Sequence, residues 1–215
     1  MPPTAGSSTA EPAAPPHPVL FLDIGHPESL LAAERALQVM PVATEWIPVH
    51  LGRPAEIDLD ALAARAAERG LQPVRAPEQL PFDAELANLA ATFAKSTGRA
   101  VAFLQAALRQ AYAGARDLSV LDNVLIAGSA CELHPRSLLK ALETKGTRRT
   151  LEQATARARA LGVERAPAVQ VGERCFAGDA GLDAAAAFLH AQGLAETPPQ
   201  PLDVLSRLTV IPPRG

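Results

Sequence analysis

The 215-residue chain predicts an α/β fold: a strand–helix–strand unit, then an all-helical middle, then two strands and a closing helix. Three observations carry this. Within the first fifty residues the apolar residues form a short unbroken run, then recur at helical spacing, then form a second run. From residue 58 to about residue 161 the spacing stays helical almost throughout. From residue 168 the period falls to two, breaks at a glycine, and returns to helical.

The elements follow in order. Residues 19–24 (VLFLDI) are apolar without helical period and read as a buried strand. Pro27 stands where a helix would begin, Leu30, Leu31, Ala33, Leu37 and Met40 follow at helical spacing, and Pro41 ends the run. Residues 43–51 (ATEWIPVHL) read as a second strand, closed by Gly52-Arg53-Pro54. Short joints between these three make a βαβ unit, whose strands are parallel neighbours. Leu59, Leu62, Ala63 and Ala66 mark the next helix; residues 86–94, 100–113, 121–131, 137–143 and 147–161 mark five more, the last ended by Gly162. Residues 168–171, a turn at Gly172-Glu173 and residues 174–176 form an antiparallel hairpin, and a final helix spans 182–192 before Gly193.

Proline removes a backbone donor and fixes φ, so the ends, rich in it, read as flexible tails at 1–18 and 194–215 around one domain at 19–193. Residues 202–211 hold enough apolar side chains to dock on that domain. A net charge of −3 with no basic stripe argues against a nucleic-acid partner. No apolar run approaches the roughly 18 residues of a membrane span, and no basic-then-apolar leader opens the chain, so the expected compartment is the cytoplasm. Cys131 and Cys175 are the only cysteines, far apart, and read as separate reduced thiols. The histidines show no metal-ligand spacing. Trp46 and Tyr112 read as core, and Lys95 and Arg99 as a solvated face that could also meet an anion.

Five segments in order resemble the family that holds DsbA-like oxidoreductases, kappa-class glutathione transferases and 2-hydroxychromene-2-carboxylate isomerases. Residues 22–34 (LDIGHPESLLAAE) look like its reactive strand–turn–helix, and Trp46-Ile47-Pro48 with Leu51-Gly52 like its second strand. Residues 92–100 and Asp122-Asn123-Val124 fit its helical insertion, here about 58–161. Gly162-Val163 with Ala166-Pro167 looks like its cis-proline turn, and residues 176–179 like its closing motif. The resemblance implies a thioredoxin-like fold, βαβ…ββα, with a large helical insertion.

At the reactive turn stand His26-Pro27-Glu28-Ser29. A helix N-terminus favours an anion, which is why family members place a low-pKa cysteine pair or a thiolate-binding serine there. Here both positions lack a thiol, so family-type disulfide exchange is not expected. His26 would be a neutral donor or base, or else a solvent-facing cap; Ser29 would be a displaced hydroxyl, or an ordinary helix residue. Glu28 offsets the positive potential that would hold a thiolate. The resemblance assigns Ala166 and Pro167 to ligand backbone contacts, with an ordinary trans proline as the alternative. It assigns Asp179 to a cradle for the γ-glutamyl end of glutathione, which Ala180 leaves half built; Asp179 also reads as a plain N-cap.

The implied function is an isomerase-like protein, dependent on glutathione or another low-molecular-weight thiol, with a degenerate active site and no disulfide oxidoreductase activity. The alternative is a non-catalytic thioredoxin-fold binding module. A small-molecule or thiol ligand and a homodimer are the partners the family implies.

Overall fold

The computed structural model describes residues 17–194; residues 1–16 and 195–215, and with them the docking segment read at 202–211, lie outside the described residues. Strand β1 (Val19–Leu22), helix α1 (Glu28–Val39) and strand β2 (Glu45–Pro48) form the βαβ unit. Six helices follow: α2 (Leu59–Glu68), α3 (Glu85–Ser96), α4 (Ala100–Tyr112), α5 (Leu121–Ala130), α6 (Pro135–Glu143) and α7 (Lys145–Ala160). Strands β3 (Ala168–Val171) and β4 (Arg174–Ala177) and helix α8 (Asp179–Ala191) close the chain.

The sheet order is β2-β1-β3-β4, with β1 parallel to β2 and β3 antiparallel to both its neighbours. Central β1 explains its own sequence. Leu20 and Leu22 join the larger core with α1, α4 and α8, while Val19 and Phe21 join a second core with Ile47, Val49 and Ala158 of α7. A strand covered on both faces has no polar side, hence the unbroken apolar run. The helical middle is therefore split: α3 to α6 extend the first core, and α7 crosses to the opposite face of the sheet. Trp46 and Tyr112 lie in the core as expected.

Two boundaries differ from expectation for a local reason. Strand β2 is shorter than residues 43–51 because the chain beyond Pro48 soon leaves the ladder. Val49 N–H still reaches the Leu22 carbonyl at 2.9 Å. His50 N–H then goes to Thr155 Oγ1 at 2.9 Å and Leu51 N–H to Asp23 Oδ2 at 2.6 Å. Helix α8 starts three residues early, at Asp179, behind Gly178, whose φ of 74° suits glycine. Gly181 in its first turn is required: a Cβ there would sit 2.5 Å from the Phe176 carbonyl oxygen. Among the described residues no helix is long and apolar enough to cross a membrane.

Candidate active site

The turn between β1 and α1 is built around a buried carboxylate. Asp23 has no solvent exposure, and its oxygens accept from Gly25 N–H at 2.9 Å, Asn88 Nδ2 at 2.7 Å and Leu51 N–H at 2.6 Å. Asn88, buried on α3, also takes Ile24 N–H on its Oδ1 at 3.1 Å. Its Nδ2 lies 3.4 Å from His50 Nδ1 as well, so that nitrogen is the acceptor. One carboxylate thus ties together the reactive turn, the loop after β2 and helix α3 of the insertion.

His26 follows from that frame. The expectation of a solvent-facing cap is corrected: the residue is 4% exposed. Ala166 N–H donates to its Nδ1 at 3.3 Å, and its Nε2 lies 3.1 Å from the Gly52 carbonyl oxygen and 3.9 Å from Asp23 Oδ2. An amide N–H only donates and a carbonyl only accepts, so the ring is neutral with its proton on Nε2. His26 therefore joins three segments of the site: the reactive turn, the loop after β2 and the proline turn.

The other expected residues separate. The Ala166–Pro167 peptide bond is cis, and Ala166 stands at the cleft beside His26. Ser29 has no exposure, its hydroxyl has no hydrogen-bond partner among the described residues, and it does not line the cleft. Asp179 is 2% exposed and is not the expected side-chain cap of α8; it is paired instead with Arg69 at the end of α2 and lies 3.5 Å from Arg35 of α1. Arg35 also donates to Asp183 at 2.5 Å, a hydrogen bond that holds its guanidinium above its usual range. Glu28 meets Arg65 of α2 at 2.8 Å, so the acid that would repel a thiolate is neutralised by a cation one layer out.

Of these groups His26, Ala166, Glu28 and Arg65 line a cleft of about 260 Å³ at the N-terminus of α1. It is lined by His26 and Ala166, by Pro27 and Glu28 at the start of α1, and by Asp58, Leu62 and Arg65 along α2. Helix α2 is held there by Leu62 and Ala66, packed against Leu31. Neither cysteine reaches the cleft: Cys131 is buried at the end of α5 and Cys175 half-buried on β4. Burial pushes both thiols up, which leaves them poor thiolates. Lys95 and Arg99 are paired with Glu45 of β2 and with Glu132, and neither lines the cleft.

Sequence reading passed over Asp23, Asn88 and the α2 arginines. A signal existed for the first two: a lone acid at the end of an apolar strand, and a lone amide in the alanine- and leucine-rich face of α3. Nothing local marks Arg69, whose partner lies 110 residues away.

No known family profile matches the chain, and neither does any curated protein sequence. Solved structures do. A 2-hydroxychromene-2-carboxylate isomerase superposes with a TM-score of 0.69 at 14% identity, over 82% of this chain and 97% of that one. A probable DsbA oxidoreductase from Streptomyces coelicolor gives 0.66 at 19% identity, over 88% and 94%. The cytosolic disulfide reductase DsbM from Pseudomonas aeruginosa, solved with glutathione, gives 0.58 at 17% identity, over 82% and 98%. The fold is thus the DsbA-like thioredoxin fold with a helical insertion.

Proposed function

We propose that the chain is a 2-hydroxychromene-2-carboxylate isomerase-like member of the DsbA family that binds glutathione or another low-molecular-weight thiol in the cleft between His26 and α2. It does not exchange disulfides. One observation carries the reading: the cleft persists at the N-terminus of α1, beside Ala166 and Pro167, while the positions that would bear thiols are His26 and Ser29. A thiolate at this helix end meets the positive end of the dipole, and the Glu28–Arg65 pair removes the charge that would oppose it. A cleft of about 260 Å³ lies just below the range of small-molecule sites, large enough for the cysteinyl part of a small thiol.

A non-catalytic binding module is the second reading, favoured by the engagement of both His26 nitrogens and the burial of Ser29. The His26 ring then has no free nitrogen to offer a reacting atom, and the Ser29 hydroxyl lies buried outside the cleft lining.

Thermal shift of the full chain with glutathione, S-alkyl glutathiones and mycothiol separates the two. A thiol at about 100 times its dissociation constant adds about 2.7 kcal/mol of stability. A shift with any of the three, followed by conversion of 2-hydroxychromene-2-carboxylate in its presence, supports the isomerase-like reading. A shift without conversion supports the module, and no shift with any thiol removes the thiol cofactor. Insulin reduction by the same protein with dithiothreitol should not exceed the uncatalysed rate.

A further inference from the structure

His26 lines the cleft and holds an acceptor nitrogen toward Ala166, which also lines it, and a donor nitrogen toward Gly52, which does not. Nδ1 takes the Ala166 N–H at 3.3 Å and Nε2–H gives to the Gly52 carbonyl at 3.1 Å. An amide group of an extended ligand would offer the same pair, its C=O to Ala166 and its N–H to Gly52. We infer that His26 is an internal clasp that fills an amide-binding position of the cleft, and that a peptide or peptide-like ligand takes this position only after protonation of Nδ1 has released the ring.

The release follows from hydrogen-bond chemistry. Once Nδ1 carries a proton it faces the Ala166 N–H donor to donor, and the contact that held the ring becomes repulsive. Charged and titratable groups of both signs surround the ring. Asp23 Oδ2 lies 3.9 Å from Nε2, and Glu28 of α1 and Glu56 and Asp58 from the segment before α2 line the same cleft. Arg65 of α2 and Arg165 before β3 line it too, at the positive end of α1.

The amide-ligand part of this inference rests on the cleft reading proposed above; the clasp does not. Amide hydrogen exchange at Ala166, corrected for intrinsic rates, is measured in the full chain at about pH 8 and about pH 5, the interval across which histidines change charge. Protection is expected at the higher pH, with the 15N signal of an unprotonated Nδ1, and a fall of about tenfold or more at the lower. His26→Asn, whose side-chain oxygen can accept the same N–H without titrating, should keep protection at both. Equal protection in the unmutated chain at both pH values overturns the clasp, and so does a fall that persists in His26→Asn. The unmutated chain decides alone where that variant does not fold.

Two probes then test the occupant: glutathione, and the thiol-free N-acetyl-trialanine amide. Binding of the thiol-free amide that tightens about fivefold or more as Ala166 opens supports the inference. If that amide binds and glutathione does not, glutathione is excluded as the thiol and the clasp stands. If Ala166 opens and neither probe gains, the occupancy claim is overturned.

Discussion

A carboxylate with no contact to water survives in a fold only when its oxygens are filled by donors, because an unmet buried charge costs more than most contacts return. Asp23 meets that condition with two backbone N–H groups and one side-chain amide drawn from three separate segments. Asp23→Ala would leave Gly25 N–H, Leu51 N–H and Asn88 Nδ2 short of an acceptor, and the expected loss is about 3 to 4 kcal/mol by urea denaturation. Asp23→Asn keeps one acceptor oxygen but turns a second donor toward donors, so an intermediate loss is expected. A loss of under about 1 kcal/mol in Asp23→Ala would mean that the turn is held by packing alone. This residue also shows how site and sequence relate. The identity of Asp23 and His26 could be read from the chain, and so could their place at a helix N-terminus. Their partners could not, because Asn88, Gly52 and Ala166 arrive through tertiary folding from 65, 26 and 140 residues away.

Elements were legible where burial is repeated along them and less so where their ends are fixed by side chains from elsewhere. Strand β1, the β3–β4 hairpin and the amphipathic helices each bury a face at a fixed period, and that period is in the sequence. The end of β2 is instead set by Asp23 and Thr155, which take up the backbone donors of Leu51 and His50. Helix α2 is the clearest case of an element whose role is invisible in its own pattern. Its apolar stripe, Leu62 and Ala66, packs on Leu31, while Arg65 and Arg69, one turn apart, reach the first turns of α1 and α8. The two arginines should not matter equally. Glu28 and Arg65 are both partly exposed, and Arg65→Ala should cost under about 1 kcal/mol. Asp179 is buried, and Arg69→Ala leaves it with Arg35 alone, which is 3.5 Å away and makes no hydrogen bond to it. The expected cost is about 3 kcal/mol, the low end for breaking a buried pair, read from urea denaturation of both variants side by side. Equal small losses would show that α2 is held by Leu62 and Ala66 without help from charge.

At the scale of the whole molecule, the sheet, α1 and the helical insertion meet at Tyr112, the only tyrosine in the chain. Its ring is fully buried at the end of α4, 6.1 Å from the ring of Phe82, and its hydroxyl donates to the Ile24 carbonyl at 2.8 Å, next to the reactive turn. Burial first, and the charge of Asp23 second, push the phenol well above its ordinary value. The sign of the consequence is fixed. The unfolded chain releases the phenol proton near its ordinary pKa of about 10 and the folded chain does not, so this group leaves stability unchanged below that pH and lowers it above. The loss is about 1.4 kcal/mol for each pH unit beyond the unfolded value. With stability a small difference of large terms, the domain should unfold before the ring ionises in place. Phenolate absorbance and loss of helical circular dichroism are therefore expected in one common alkaline step. Tyr112→Phe separates this from general alkaline repulsion: it costs about 1 kcal/mol at neutral pH for the lost bond to Ile24, yet it removes the linked proton and so makes the alkaline fall less steep. Phenolate that appeared while the helical signal stayed whole would mean that the junction of sheet and insertion opens locally, and that the turn bearing His26 opens with it.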